Sequence, residues 1–383
     1  MNDLEIRQQL AKLTVVVLTV NRPGYLRGVI KYWSQWPVTL LILDGSDQPV
    51  EAASLRAGEA RLILHSEIPI SGRFRFAASQ LDTPYACLHS DDDFTLARGA
   101  AQTISWMNDK PEISCVASDV FMFSEDRTGN LWHPGRTLTS RMPNERIAEH
   151  LAHYRFSYFY GIQRSNQLSI ALDAVAAATG CQEFIEYPNI AAGYELGIEI
   201  CGAALGQLSN WPDVLLLKRV GNETRGSAGQ YAYEWLGDFE AQSAVRAWRS
   251  ILSQHLAPHL DSSEAAVDRW LDEAFILYCQ SSQQNNFVQQ KSGDMVSKFA
   301  RALMPKGEMF HNSRPSTRFV HRAHNVGFQA LRGLFRKFMK ILGKPRPSVS
   351  TLDVANPLDL LDVVSILDDN LDSKICEAHS EPS

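Results

Sequence analysis

Hydrophobic residues in the first third of the chain come in short runs separated by polar, turn-forming clusters. Leu13–Val20 (LTVVVLTV) is rich in β-branched residues and lacks a 3.6-residue period, the pattern of a strand buried on both faces. Asn21-Arg22-Pro23-Gly24 stops it, and Tyr25–Gln35 reads as a helix. Val38–Leu43 is a second buried strand, closed by Asp44-Gly45-Ser46-Asp47, and Arg61–His65 is a brief third. Ser71–Leu81 has helical spacing, and Tyr85–Leu88 leads into a fourth strand ending at Ser90-Asp91-Asp92-Asp93. A helix over Ala97–Asn108 and a fifth strand over Ile113–Phe123 follow. Strands separated by helix-length segments predict an α/β fold with a mostly parallel sheet and right-handed crossovers. Such sheets bind ligands beyond the carboxyl ends of their strands, which is where the Asp-bearing turns fall.

Beyond about residue 230 the pattern turns helical: Tyr231–Leu256 and Ser263–Ser281 both space apolar residues by three and four. Charge then divides the remainder. Lys291–Pro347 carries thirteen Lys or Arg against Asp294 and Glu308, while Ser348–Ser383 carries eight carboxylates against Lys374. The overall net charge of −6 hides this dipolar tail and argues against a general nucleic-acid binder. Within the basic part, Gly327–Leu342 lines up Phe328, Leu331, Phe335, Phe338 and Leu342 at helical spacing with Arg332, Arg336, Lys337 and Lys340 mostly off the stripe. Two readings stay open for this amphipathic helix: peripheral contact with an anionic membrane, or packing on the protein, with acidic Pro357–Leu371 as one partner. The charged first residues lack an apolar leader core, and no run approaches the roughly 18 apolar residues of a membrane span. The expected location is cytoplasmic, with a peripheral position on the inner membrane face if the amphipathic helix binds lipid. Six scattered cysteines (Cys87, Cys115, Cys181, Cys201, Cys279 and Cys376) form no CxxC pair and read as reduced small hydrophobes. His321 and His324 lack further ligands at metal spacing and read as part of the basic surface.

Asp91, Asp92 and Asp93 at the end of a hydrophobic strand repel one another and lose hydration unless something compensates them. A divalent cation does so, and ligands that are all oxygen select hard ions such as Mg²⁺ or Mn²⁺. A solvated acidic turn before the Ala97–Asn108 helix is the plainer alternative.

Three short segments in order now carry a resemblance: Thr19-Val20-Asn21-Arg22 after the first strand, Asp44-Gly45-Ser46-Asp47 after the second, and Ser90-Asp91-Asp92-Asp93-Phe94 after the fourth. Over about residues 13–225 the chain resembles the GT-A glycosyltransferases, most closely glycosyltransferase family 2 of bacterial surface-polysaccharide synthesis. The resemblance implies a GT-A-like, Rossmann-like domain over residues 1–228; the pattern and charge beyond it read as a helical C-terminal extension (229–290), the basic segment (291–347) and the acidic tail (348–383). It places the nucleoside of a nucleotide-sugar donor at Thr19, Asn21 and Asp44. The Asp-x-Asp signature maps to Asp91 and Asp93 as holders of Mg²⁺ or Mn²⁺ and the donor diphosphate, with Asp92 between them. The family's Ala-Arg-Asn segment is replaced by Gly72-Arg73-Phe74-Arg75, so either Arg73 or Arg75 approaches the diphosphate or both are solvated.

An inverting transfer needs a general base for the acceptor hydroxyl. The resemblance places it in Tyr194-Glu195-Leu196-Gly197-Ile198-Glu199, at the start of a helix running to about Leu208, with Glu195 first and Glu199, one turn on, second. Glu183 and Glu186 remain candidates, because the family's usual Glu-Asp pair is missing. A strand over Val214–Leu217 leads to Arg219 and Arg225, which either close over the donor phosphates or are plain surface arginines. Tyr154–Tyr160, Gly161 and Arg164 fall where the family builds its acceptor side, although an aromatic run equally suits a core. The expected function is sugar transfer from the donor to a hydroxyl of a glycan or lipid-linked acceptor. A catalytically silent relative and a metal-dependent nucleotidyltransferase are the rival readings.

Overall fold

The computed structural model describes residues 1–51, 58–123, 129–132, 136–154, 158–186, 193–219 and 239–281. The amphipathic helix at 327–342, both charged tail segments, His321, His324, Cys376 and Arg225 lie outside the described residues.

Strands β1 (Leu13–Thr19), β2 (Thr39–Asp44), β3 (Arg61–Ser66) and β4 (Tyr85–Ser90) pair in the order β3-β2-β1-β4, every pair parallel. Helices α2 (Pro23–Trp33) and α3 (Ile70–Gln80) make the crossings from β1 to β2 and from β3 to β4. The sheet continues through β8 (Ile162–Arg164), β6 (Ile113–Phe123) and β9 (Gln207–Arg219) to β5 (Phe94–Thr95), with β7 (Gly129–Trp132) paired to β6. Because β8 is antiparallel to both β4 and β6, and β9 is parallel to β6, six of these strands run one way. Only the short β5, β7 and β8 oppose them. The expected mostly parallel α/β sheet is therefore present, and the carboxyl ends of β1, β2, β4 and β9 share one edge.

Strand β9 starts well before the expected Val214. Ser118 pairs with Trp211 but Asp119 with Val214, so Pro212 and Asp213 form a bulge. A proline without an N–H is accommodated there, and it also interrupts the apolar run that a strand reading relies on.

Helices cover both faces. On one, α1 (Asp3–Leu10), α2 and α4 (Ala97–Met107) pack Leu10, Leu26, Trp33 and Ile104 against Val15, Val17 and Ile42. On the other lie α3, α5 (Pro143–Ala152), α6 (Ser165–Thr179), α7 (Gln182–Glu186) and α8 (Gly193–Leu205). Helix α9 (Phe239–Leu256) and the helix α10 at 264–281 complete that layer: Trp248, Leu252, Leu271 and Phe275 share one buried cluster with Leu172, Val175 and Ile198. At Gly197 an added Cβ would lie 2.7 Å from Val175 Cγ2 and 3.3 Å from Trp248 Cζ2. The absent side chain is what lets α6 and α9 close on α8. Cys87, Cys115, Cys201 and Cys279 are buried free thiols and Cys181 is a half-buried one, as their scatter indicates.

Truncating Trp248 to Ala should lower stability by about 3–5 kcal/mol through the cavity left under α8. In urea unfolding followed by sheet and helix signals, the two should shift together. A shift in the helical signal alone would show that α9 and α10 unfold independently of the sheet.

Candidate active site at the strand ends

The parallel register brings the predicted residues together. Thr19 pairs with Asp44 across β1 and β2, and Leu18 pairs with Ser90 across β1 and β4, so the three turns emerge side by side. On the β1–β2 side the turns are laced to each other. Asn21 has φ +56°, a left-handed conformation that asparagine tolerates better than most residues. Its N–H donates to Ser46 Oγ at 2.6 Å, its Nδ2 donates to Asp47 Oδ2 at 3.3 Å, and Asp47 N donates to its Oδ1 at 3.2 Å. Asp44 is buried and shapes the second turn, accepting from Ser46 N at 2.9 Å and Val50 N at 3.0 Å.

Arg73 is buried, not a solvated side chain. Its buried guanidinium lies behind the two turns, with Nη1 donating to the Thr19 and Leu43 carbonyls at 3.3 Å each, while Nε makes no hydrogen bond. Burial lowers its pKa, opposed chiefly by the charge of Asp44. A Cβ at Gly45 would sit 2.5 Å from Arg73 Cζ, so only glycine lets this arginine lie under the loop. Arg75 is exposed on α3.

The acidic turn is held by a histidine that the sequence reading passed over. Thr95 N donates to Nε2 of buried His89 at 2.8 Å, tying together the two ends of the Ser90–Phe94 segment. That bond requires a neutral ring, and burial accordingly depresses the His89 pKa to about 4. All three aspartates are buried, and they point to different partners. Asp91 faces β1: Thr19 Oγ1 donates to Oδ2 at 2.7 Å and Arg22 Nη1 lies 2.7 Å from Oδ1. Arg22 Nη2 also pairs with Asp92. Asp93 faces β9, accepting from Arg219 N at 3.0 Å through Oδ1 and from Lys218 Nζ at 3.1 Å through Oδ2. The cause is register: β5 pairs antiparallel with β9, Phe94 opposite Leu217, so the residue before Phe94 meets the residue after Leu217.

Lys218 links this turn to the far side of the site. Its Nζ donates to Tyr160 Oη at 2.9 Å and lies 4.2 Å from the Tyr160 ring centroid. Burial opposes its charge, but Asp93 and Tyr160 outweigh that and raise its pKa. Glu195, half-buried in the first turn of α8, belongs to the same group. Burial raises its pKa, the charge of Lys218 and a hydrogen bond with Tyr160 oppose this, and Glu199 and Asp93 add to it. Arg219 joins Arg22 beside Tyr25, their guanidinium carbons 5.1 and 4.3 Å from that ring centroid. Arg219 Nε is buried without a hydrogen bond.

Other expected residues stand elsewhere. Glu199 is fully buried and used by the fold, accepting from Phe159 N at 2.8 Å and paired with His150 Nε2 at 2.8 Å. Glu183 and Glu186 are exposed on α7. Arg164 donates to the carbonyls of Met107, Lys110 and Ile113 at the opposite end of the sheet. Of the aromatic run, Tyr160 touches the acidic turn's partner Lys218, while Tyr154 packs on His150 and Tyr278.

Among the described residues no three His, Cys, Asp or Glu side chains converge as one metal cluster, and Asp91 and Asp93 each have protein partners of their own. The donor set still suits a hard cation. Burial raises the Asp91 pKa to about 7 against the pull of Arg22 and Thr19, so negative charge is in excess of what the turn comfortably holds. Mg²⁺ needs only one or two carboxylates when phosphate oxygens complete its shell. Asp93 is buried, and its partner Lys218 is one-fifth exposed at the side chain.

No protein-family model matches this chain, and no curated protein matches it. Among solved structures it is similar to S. aureus TarS 1-349 in complex with UDP-GlcNAc, at 12% identity and a TM-score of 0.46, over 76% of this chain and 81% of that one. Another S. aureus TarS structure gives 14% identity and a TM-score of 0.44, over 77% of this chain and 49% of that one. The mannosyltransferase PcManGT from Pyrobaculum calidifontis, in complex with GDP-Man and Mn²⁺, gives 12% identity and a TM-score of 0.36 over 94% and 87%. These overlaps are loose. No helix among the described residues is long and apolar enough to cross a membrane.

The two glutamates of α8 should separate in stability measurements. Glu199→Ala strands the Phe159 N–H and His150 and should cost about 3 kcal/mol. Glu195→Gln should behave oppositely. A carboxylate whose folded pKa is raised destabilises the fold once pH exceeds its unfolded value, and does so fully above its folded value. Urea unfolding should therefore find Glu195→Gln as stable as the parent at pH 4 and more stable at pH 8. A variant weaker than the parent at pH 8 would show that Glu195 is a structural residue.

Proposed function

We propose that this protein is a metal-dependent, inverting glycosyltransferase. It would move a sugar from a nucleotide-diphosphate sugar to a hydroxyl of a glycan or lipid-linked acceptor, and the sequence resemblance favours bacterial surface-polysaccharide synthesis. The observation that carries this reading is the convergence at one sheet edge of Thr19, Asn21, Asp44, the Asp91–Asp93 turn and Glu195, with Lys218 and Tyr160 between Asp93 and Glu195.

In this reading the donor nucleoside lies against the laced turns after β1 and β2, whose shape depends on Asp44, Asn21 and the underlying Arg73. Arg22 and Arg219, beside Tyr25, offer two guanidiniums to the diphosphate, a geometry suited to phosphate oxygens. Asp93 would hold Mg²⁺ or Mn²⁺, with Asp91 holding Arg22 in place; the ion, when bound, offsets charge on the departing nucleoside diphosphate. Glu195 is the base. Burial raises its pKa, which makes it a stronger base toward the acceptor proton than an exposed carboxylate. It takes the proton of the acceptor hydroxyl while the oxygen attacks the anomeric carbon from the face opposite the leaving diphosphate.

The test is release of nucleoside diphosphate from a panel of UDP- and GDP-sugars, with Mn²⁺ or Mg²⁺. The parent should turn over one of them. Glu195→Gln should lose about 10²–10⁴-fold in turnover while binding the nucleoside diphosphate as the parent does, and Asp93→Asn should lose metal-dependent turnover. Unchanged turnover in Glu195→Gln removes the base assignment. Nucleotide binding without any turnover would favour a silent donor-binding relative, and no binding at all would overturn the reading.

A further inference from the structure

Asp93 is both the residue placed to hold a divalent cation and the partner of a lysine. Its two oxygens are held differently. Oδ1 accepts from a backbone N–H, that of Arg219, which is fixed by the β9 strand. Oδ2 accepts from an ammonium at the end of a flexible four-carbon stem, one-fifth exposed at its side chain. An ammonium and a metal ion cannot share one carboxylate oxygen at contact distance without strong repulsion in a buried site. The ammonium, however, already has a second seat: the Tyr160 hydroxyl at 2.9 Å and the ring face at 4.2 Å, with the negative charge of Glu195 beside it. A small rotation of the lysine stem would exchange Asp93 for that seat without returning the charge to water.

We propose that Lys218 and a divalent cation compete for Asp93 Oδ2, and that Tyr160 is the seat to which the ammonium withdraws when the ion binds. The proposal rests on the assignment of Asp93 as the metal-holding residue, and it adds a consequence: ion binding moves Lys218 toward Glu195 and the acceptor side. Loading of the donor side is thereby signalled to the base. A lysine that serves as the built-in counter-ion also explains how a buried carboxylate is accommodated at this strand end before any ion arrives.

The experiment is Mn²⁺ titration of the full-length protein, followed by the loss of free-ion paramagnetic signal and by melting temperature. Lys218→Met should bind Mn²⁺ about tenfold more tightly than the parent, because the competitor is gone. It should also melt lower than the parent without Mn²⁺ and recover more on adding it. Tyr160→Phe changes no charge but removes the hydroxyl seat, so it should bind Mn²⁺ several-fold more weakly; a general field effect of Lys218 predicts no change there. The double variant Asp93→Asn with Lys218→Met should lose the gain, which locates the ion. If Lys218→Met does not fold, Lys218→Gln gives the same comparison. Equal Mn²⁺ affinity in parent and Lys218→Met, with both abolished by Asp93→Asn, would overturn the competition and leave the metal assignment standing. No Mn²⁺ binding by parent or Lys218→Met, alone or with a nucleoside diphosphate present, would overturn both.

Discussion

The site depends on one antiparallel contact, the pairing of the two-residue strand β5 with the end of β9. Three buried aspartates in succession are an unstable arrangement by themselves, since each loses hydration and repels the next. The β5–β9 register gives the last of them a backbone donor and an ammonium, and Arg22 after β1 serves the other two. His89 keeps the turn closed by accepting from Thr95 N inside the sheet. Charge compensation therefore comes from both flanks of the acidic strand end. The same compensation draws Tyr160 and Glu195 within reach of these carboxylates.

Much of the sheet was legible because buried parallel strands leave an unmistakable trace: LTVVVLTV and VTLLIL have no helical period, and polar turns follow each. The three turns expected at one edge of the sheet do emerge side by side there. What the residues did not reveal was which polar groups face it. Arg73 and Arg75 differ by two positions, about 200° around α3, so one is buried under Gly45 and the other exposed. Glu195 and Glu199 lie one turn apart on α8. Their different roles follow from the Tyr158–Tyr160 turn, which offers Glu199 the Phe159 N–H and leaves Glu195 near the Tyr160 hydroxyl.

Lys218 and His89 were missed for a common reason. Their importance comes from partners that only the folded chain sets against them, Asp93 125 residues from Lys218 and Thr95 folded back on His89 from six residues on, and neither forms a motif. The Pro212–Asp213 bulge also concealed that β9 runs the length of β6, and without that strand Lys218 has no reason to meet the acidic turn. The helical segment after residue 239 was correctly read as helix. Its integration with α6 and α8 came from small residues such as Gly197, whose packing role shows only once the neighbouring helices are in place.

The central claim is that the edge formed by the β1, β2 and β4 turns is a nucleotide-sugar donor site. A crystal structure grown with Mn²⁺ and the nucleoside diphosphate that binds most tightly tests it most directly, because manganese is located by its anomalous signal. The account predicts manganese on Asp93, the nucleoside against Thr19, Asn21 and the Asp44 turn, and Lys218 moved to Tyr160. Manganese and nucleotide at any other edge of the sheet, with the Lys218–Asp93 pair intact, would contradict it.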